Sequence, residues 1–181
     1  MNKKQHARMK VFQLVDNPYK LENPYIPTLI DGISKIASDI SWGYGLDNFW
    51  KDSIFDYDII HIHWPDMILA SLVRGGTIDI IRDRLEKIKE HGVKLVATCH
   101  NLEPHYAKNE ENIAIYRIVY SMADVIIHLG EYSRRFLTKM YPDANHVVIY
   151  HHTYDLPYTR ANTSAPSFLT LGISCPLIID S

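Results

Sequence analysis

Short apolar segments of strand-like length alternate with segments of helical periodicity along most of this chain, and this alternation limits the folds that it can adopt. The first unit is typical, because Lys10 to Val15 predicts a strand and the apolar residues from Leu29 to Ala37 recur at a helical spacing. The predicted strands cover residues 10–15, 40–44, 58–64, 93–99, 124–129 and 146–150. Nearly continuous apolar strands of this kind are typical of parallel sheets covered on both faces. The sequence therefore predicts an α/β fold, a doubly wound, Rossmann-like parallel sheet forming a single domain.

Further helices are predicted between the later strands. A charged amphipathic helix over residues 78–88 is expected to stop at Gly92, because glycine is common just past the end of a helix. Helices are also predicted over residues 113–122 and 132–140. The aromatic segment 45–57, by contrast, is interpreted as a loop between two strands.

Length, charge and cysteine content exclude several classes of protein. A chain of 181 residues is long enough to bury about 70% of its unfolded surface without disulfides. A formal net charge of -2 argues against binding to nucleic acid, and the cysteines, Cys99 and Cys175, fit a reducing compartment better than a disulfide framework. The apolar run at residues 11–15 is too short for a signal peptide or a membrane span. We therefore expect a cytoplasmic protein, with scattered basic residues near the amino terminus allowing peripheral association with the inner face of the membrane.

Histidines follow or end several of the predicted strands. They are His61, His63, His100, His128 and His151. Because ligands bind at the carboxyl edge of an open parallel sheet, these histidines predict one site at that edge. His128 has a second interpretation, since a histidine within a sheet is more often a hydrogen-bonded core residue than a ligand.

The pair His61 and His63 leaves two chemistries open. Residues two apart on a strand project to the same face, so the two imidazoles could ligate a metal together or line a substrate pocket. The first alternative describes a metal-dependent hydrolase. Trp64, beside them, is either a platform for a sugar ring or a packing wedge. Neither a G-x-G-x-x-G motif nor a Walker lysine motif is present, so no cofactor is expected.

Five segments in order carry a resemblance to a known family. They are NPYIPTLIDGI (23–33), DIIHIHWP (58–65), TCHNLEPH (98–105), ADVIIHLGEYSRRFL (123–137) and VVIYHHTY (147–154). Together they resemble the amino-terminal domain of GT-B glycosyltransferases, within the retaining family 4 group also called glycosyl transferases group 1. The resemblance implies two Rossmann-like domains, of which the amino-terminal one binds the acceptor and the carboxyl-terminal one binds a nucleotide sugar. It divides this chain into a flexible start (1–9), the domain (10–157) and a linker or a truncated or altered tail (158–181).

The resemblance also assigns roles to individual residues. His100 matches the histidine of the family's T-x-H-N block, which implies a place beside the transferred sugar as a stabiliser rather than a general base. The expected substrate-binding residues are His61, His63, Trp64, Asn101, His105, Ser133, Arg134 and His151. Asn101 is also a turn former. Ser133 and Arg134 could hold a phosphate or carboxylate at a helix start that the serine caps, or belong to a solvated basic face.

The chain departs from the family at three places. Residues 16–19, Asp-Asn-Pro-Tyr, replace the glycines common after the first strand, and His152 replaces another common glycine. Beyond Pro157 the family pattern would continue into a donor domain with paired glutamates, which residues 158–181 do not contain. The resemblance thus implies an acceptor-binding domain that is inactive alone, with a glycan or lipid-linked saccharide as acceptor, a nucleotide sugar as donor substrate and a donor domain in cis or in trans. A stand-alone binding module that pairs with a separate donor-domain chain is a further alternative.

Overall fold

The computed structural model describes residues 8–72, 77–104 and 109–151, which form a parallel six-stranded sheet with helices between its strands. The strands are β1 (Met9–Gln13), β2 (Ile40–Tyr44), β3 (Ile59–Ile62), β4 (Lys94–Cys99), β5 (Val125–His128) and β6 (Asn145–Val148). Every adjacent pair is parallel. The predicted α/β fold with a Rossmann-like parallel sheet is confirmed.

The strands lie in the order β2-β1-β3-β4-β5-β6. The chain therefore moves one way from β1 to β2 and the opposite way from β3 onward. Because parallel crossovers are right-handed, this reversal places the helix after β1 on one face of the sheet and the helices after β3 on the other. The sheet is doubly wound for that reason.

Among the described residues, four helices lie close to their predicted positions, and a short helix over residues 66–70 was not predicted. They are α1 (Tyr25–Ile36), α2 (Asp66–Ala70), α3 (Ile78–Glu90), α4 (Glu110–Met122) and α5 (Glu131–Met140). Helix α4 begins three residues before the predicted start because the side chain of Asn109 accepts a hydrogen bond from the Asn112 N–H at 2.7 Å. Helix α3 ends as predicted, with Gly92 just past it at a φ of 81°.

The core lies against the central strands. Ile60 and Ile62 on β3, Leu95 and Ala97 on β4 and Ile126 on β5 are all buried. Helices α2, α3 and α4 contact one another, and their apolar faces pack into the same core. Within the described residues, no helix is long and apolar enough to cross a membrane.

The aromatic segment 45–57 is not the irregular loop that the sequence predicted. It forms two 3₁₀ helices, Leu46–Trp50 and Asp52–Asp56. Phe49 and Ile54 are fully buried, so the segment contributes to the core rather than running over the surface. Arg84 of α3 donates to the Phe49 carbonyl at 3.0 Å, which fixes the segment on that helix. Alternating aromatic and polar residues gave no single period, which is why this structure was missed.

Candidate functional site

The order of the strands reverses at β1, with β2 on one side and β3 on the other. In an open α/β sheet, ligands bind in the crevice outside the carboxyl ends of the strands at such a switch point. Gln13 is the last residue of β1, and His63 and His100 directly follow β3 and β4. The fold therefore brings an amide and two predicted site histidines to the switch point.

Hydrogen bonds join these side chains across three strands. His63 Nε2 lies 2.8 Å from Gln13 Oε1, and His63 Nδ1 lies 3.3 Å from His100 Nε2. His61 Nε2 lies 2.8 Å from Thr98 Oγ1. We call Gln13, His61, His63, Thr98 and His100 the switch-point cluster. As predicted, His61 and His63 share a face, with their ring centroids 4.0 Å apart.

Aromatic rings flank the switch-point cluster. Trp64 stacks on His100, with ring centroids 4.9 Å apart and planes 20° apart, and both side chains are partly exposed. Tyr25, the first residue of α1, meets the other rings edge-on, at 4.8 Å from His100 and 5.7 Å from His63. His151 is exposed and lies against Tyr25 at 5.2 Å. Trp64, His100 and His151 thus form the accessible side of the cluster, and Tyr25 supports it from beneath.

Burial keeps the imidazoles of the cluster neutral. It lowers the pKa of His61 to about 3, with a smaller effect from the charge of His100. Burial, with the nearby His61 and His100, lowers the pKa of His63 well below its usual range. Burial and the nearby His151 lower the pKa of His100 to about 4. At neutral pH these side chains therefore act as hydrogen-bonding groups and as weak bases, not as cations.

The geometry gives no support to a metal site. His61 Nε2 and both nitrogens of His63 are already hydrogen-bonded within the protein. Across residues 8–72, 77–104 and 109–151, no three His, Cys, Asp or Glu side chains are grouped so that they could hold a metal ion. No observation therefore favours the metal-dependent hydrolase alternative.

A sequence model of one family, described as Glycosyltransferase Family 4, matches residues 18–158. The chain belongs to Glycosyltransferase Family 4. It is also 25% identical, over 114 residues, to a protein of Xanthomonas campestris pv. campestris named GDP-mannose:glycolipid 4-beta-D-mannosyltransferase. The protein of the same name from Xanthomonas campestris pv. campestris strain ATCC 33913 gives the same identity over the same length. The match covers 61% of this chain and 31% of each relative, so the chain spans about a third of their length.

The five predicted site histidines do not form one group in this member of Glycosyltransferase Family 4. His128 Nε2 lies 2.8 Å from His146 Nδ1, and His128 Nδ1 lies 3.1 Å from Ser133 Oγ. His146 Nε2 donates to the Tyr141 carbonyl at 2.8 Å. His128 is fully buried, and burial, with the nearby His146 and Arg134, lowers its pKa to about 4. The core interpretation of His128 is correct, and the inclusion of this residue in a single site was wrong.

The predicted serine cap of α5 is also wrong. Gly130 occupies the cap position, and Ser133 lies within the first turn. Besides contacting His128, the Ser133 hydroxyl donates to the Gly130 carbonyl at 3.2 Å. Arg134 pairs with Glu131 at 2.7 Å. The side chains of Ser133 and Arg134 thus already have polar partners within the protein, and their role in holding an anion stays a prediction.

Asn101 and His105 were also predicted as substrate-binding residues. Asn101 is outside any helix or strand, as a turn former should be, and its carbonyl accepts from the Tyr120 hydroxyl at 2.9 Å. His105 lies outside the described residues. In the segment 16–19, Asn17 caps a short 3₁₀ helix, Pro18–Lys20, by accepting from the Tyr19 N–H at 3.1 Å.

Three residues of the site were not predicted from the sequence. Gln13 is 1% exposed, and a lone amide in the apolar segment KVFQLV was the available signal for it. Thr98 and Tyr25 lay inside quoted segments, but nothing local distinguished them from their neighbours. Their roles depend on which strands and helices become adjacent.

Proposed function

We propose that this chain is the acceptor-side domain of a retaining glycosyltransferase, which transfers a sugar from a nucleotide diphosphate donor to a glycan, a lipid-linked saccharide or a polysaccharide intermediate. The observation that carries the proposal is the neutral His100 imidazole, stacked on Trp64 at the switch point of a Glycosyltransferase Family 4 chain. The names of the two Xanthomonas relatives, GDP-mannose:glycolipid mannosyltransferases, pair a nucleotide sugar with a glycolipid.

The proposed role of His100 is to hydrogen-bond a hydroxyl of the transferred sugar and to steady charge while the glycosidic bond to phosphate breaks. A pKa of about 4 supports this role, because a base so weak is poorly matched to proton abstraction near neutral pH. None of the hydrogen-bond partners of His61, His63 and His100 among the described residues is a carboxylate. A set of partners without carboxylates is compatible with transfer that retains the anomeric configuration without a protein nucleophile.

The aromatic rings give the proposed site its shape. Trp64 is partly exposed beside His100 and offers an apolar surface to the C–H face of a sugar ring. His151 lies on the same accessible side, against Tyr25. His61 and His63 are buried, at 8% and 1% exposure, so their proposed contribution is to the wall behind the sugar.

The proposal includes a second domain. The chain spans about a third of its Xanthomonas relatives, and a nucleotide sugar needs a binding surface of its own. We propose that a donor domain, in cis or as a separate chain, completes the cleft and that residues 8–151 are inactive without it. Peripheral association with the inner membrane face would then bring the site to a lipid-linked acceptor.

The saccharide side of the proposal can be tested with the indole N–H signals of the labelled chain. The sequence has three tryptophans, and the two away from the cluster are tied elsewhere: Trp42 Nε1 donates to Ser34 Oγ at 2.9 Å and Trp50 Nε1 to Ser71 Oγ at 3.0 Å. Octyl β-D-glucoside, titrated below its micelle concentration, should shift the Trp64 signal and leave the other two in place. Equal shifts of all three signals, or none, would contradict a saccharide site beside His100.

The donor side can be tested by calorimetry. The isolated chain should show no specific binding of UDP-glucose or GDP-mannose, because the proposed donor domain is separate. A sub-millimolar dissociation constant for either nucleotide sugar would refute the proposal that donor binding belongs to a separate domain. Translation of the DNA downstream of codon 157 in three reading frames distinguishes a donor domain in cis from one supplied by a separate chain.

A further inference from the structure

A buried amide, that of Gln13, stands at the carboxyl end of β1. Gln13 is 1% exposed, and its carbonyl oxygen Oε1 lies 2.8 Å from Nε2 of His63, which is itself 1% exposed. A carbonyl oxygen only accepts hydrogen bonds, so the proton of this bond belongs to His63 Nε2. Gln13 therefore determines which nitrogen of His63 carries a hydrogen.

The protonation of His63 in turn determines which nitrogen of His100 carries a hydrogen. Burial lowers the pKa of His63 well below its usual range, so the ring is neutral and carries a single N–H. With that hydrogen on Nε2, Nδ1 has a free lone pair. His100 Nε2 lies 3.3 Å from this nitrogen and must donate to it. The two hydrogen bonds run in one direction, from His100 to His63 and from His63 to Gln13.

One nitrogen of His100 then remains for a ligand. A neutral His100 with its hydrogen on Nε2 has an unprotonated Nδ1, and burial, which lowers the pKa of this residue to about 4, keeps the ring neutral. No residue in the described part of the chain is hydrogen-bonded to His100 Nδ1. The ring is nevertheless held in place, because Trp64 stacks on it and Tyr25 meets it edge-on.

We propose that Gln13 is a positioning residue that acts through His63 to select the tautomer of His100 in which Nδ1 is a hydrogen-bond acceptor. The chemical class that this arrangement recognises is a ligand hydroxyl, which donates to Nδ1. The identification of that hydroxyl with one on a sugar rests on the proposed function. The assignment of the His100 tautomer does not rest on the proposed function.

Two-bond ¹H–¹⁵N correlation spectra of the ¹⁵N-labelled chain at pH 7 report the tautomer of each histidine directly. We expect His63 and His100 both to carry the hydrogen on Nε2 and to show an unprotonated Nδ1. A spectrum in which His100 carries its hydrogen on Nδ1, or in which its two nitrogens are averaged, would overturn the proposal without any variant.

A matched pair of substitutions separates positioning from a merely structural role. Gln13→Leu and Thr98→Val each remove one polar partner of a buried histidine and nearly keep the side-chain volume. In Gln13→Leu, the single tautomer of His63 and of His100 should be lost, with the nitrogen signals shifting toward the average of two forms. In Thr98→Val, the signals of His63 and His100 should stay at their wild-type positions. Equal changes in both variants, with circular dichroism showing intact folding, would refute the role of Gln13.

The experiment does not depend on catalysis. It uses no donor, no acceptor and no second domain, so a wrong tautomer refutes the positioning role and leaves the proposed function standing. If the tautomers are as expected while octyl β-D-glucoside leaves Trp64 unmoved, the proposed function fails and the role of Gln13 stands.

Discussion

Mild acid should destabilise this fold through its buried neutral histidines. The folded-state pKa is about 3 for His61 and about 4 for His100 and His128, whereas an unfolded histidine has a pKa of about 6.5. As the pH falls below about 6.5, the unfolded chain therefore binds protons that the folded chain does not bind. The free energy of unfolding decreases until the pH reaches the folded-state pKa values. About one pH unit above 6.5 these groups make little difference, because the histidines are then almost fully neutral in both states.

The size of the effect follows from these pKa values. Between pH 7 and pH 5.5, a histidine with a folded pKa of about 4 lowers the free energy of unfolding by about 1.2 kcal/mol. His61, His100 and His128 together give about 4 kcal/mol, and the depressed pKa of His63 adds in the same direction. Since a domain has only about 5–15 kcal/mol of stability, the loss is large. Most carboxyl groups remain ionised above pH 5.5, so they contribute little in this window.

Urea unfolding followed by circular dichroism at several pH values between 7 and 5.5 measures this loss. The His128→Gln variant is the informative comparison, because its lower stability at pH 7 should be accompanied by a pH dependence that is weaker by about 1.2 kcal/mol over the same interval. A free energy of unfolding that stays constant from pH 7 to pH 5.5 would refute the reasoning, as would a His128→Gln variant with an unchanged pH dependence.

Three further substitutions, and a control for one of them, have expected outcomes. If the proposed enzyme is assembled with a donor domain, His100→Ala should cut its turnover at least about tenfold with an unchanged circular dichroism spectrum, and unchanged turnover would remove the role proposed for this residue. Gly43→Ala should destabilise the chain by about 1–3 kcal/mol in urea, because its Cβ would overlap the ring of Tyr57. In its control, Gly32→Ala in α1, the added Cβ has no atom of the described residues within 4 Å apart from its own helix backbone and chain neighbours, so the change should stabilise by about 0.5–1 kcal/mol. Equal effects of the two substitutions would contradict the predicted clash. Gly92→Ala, at a φ of 81°, should cost about 1 kcal/mol from backbone strain alone, and its unfolding midpoint should fall accordingly.

The positions of the secondary structure elements were available from sequence because they depend on neighbours along the chain. The strand at residues 40–44 was predicted with its observed limits, and Gly92 was predicted as the residue past α3. Helix starts were less accurate where a side chain outside the apolar pattern makes the cap, as Asn109 does for α4. The segment 45–57 was missed because its burial depends on contacts with α3 rather than on its own period.

The sequence alone determined the fold class, the family resemblance and the candidates at the carboxyl edge, since these follow from local periodicity and from contiguous segments. Only the tertiary structure decided which candidates belong together. The strand order places Gln13 within hydrogen-bond distance of His63, and His63 within hydrogen-bond distance of His100. His128 instead forms a hydrogen bond with His146 on the neighbouring strand β6. The physical reason is that a hydrogen bond between residues 37 or 50 positions apart depends on how strands are arranged in the sheet, and no local pattern encodes that arrangement.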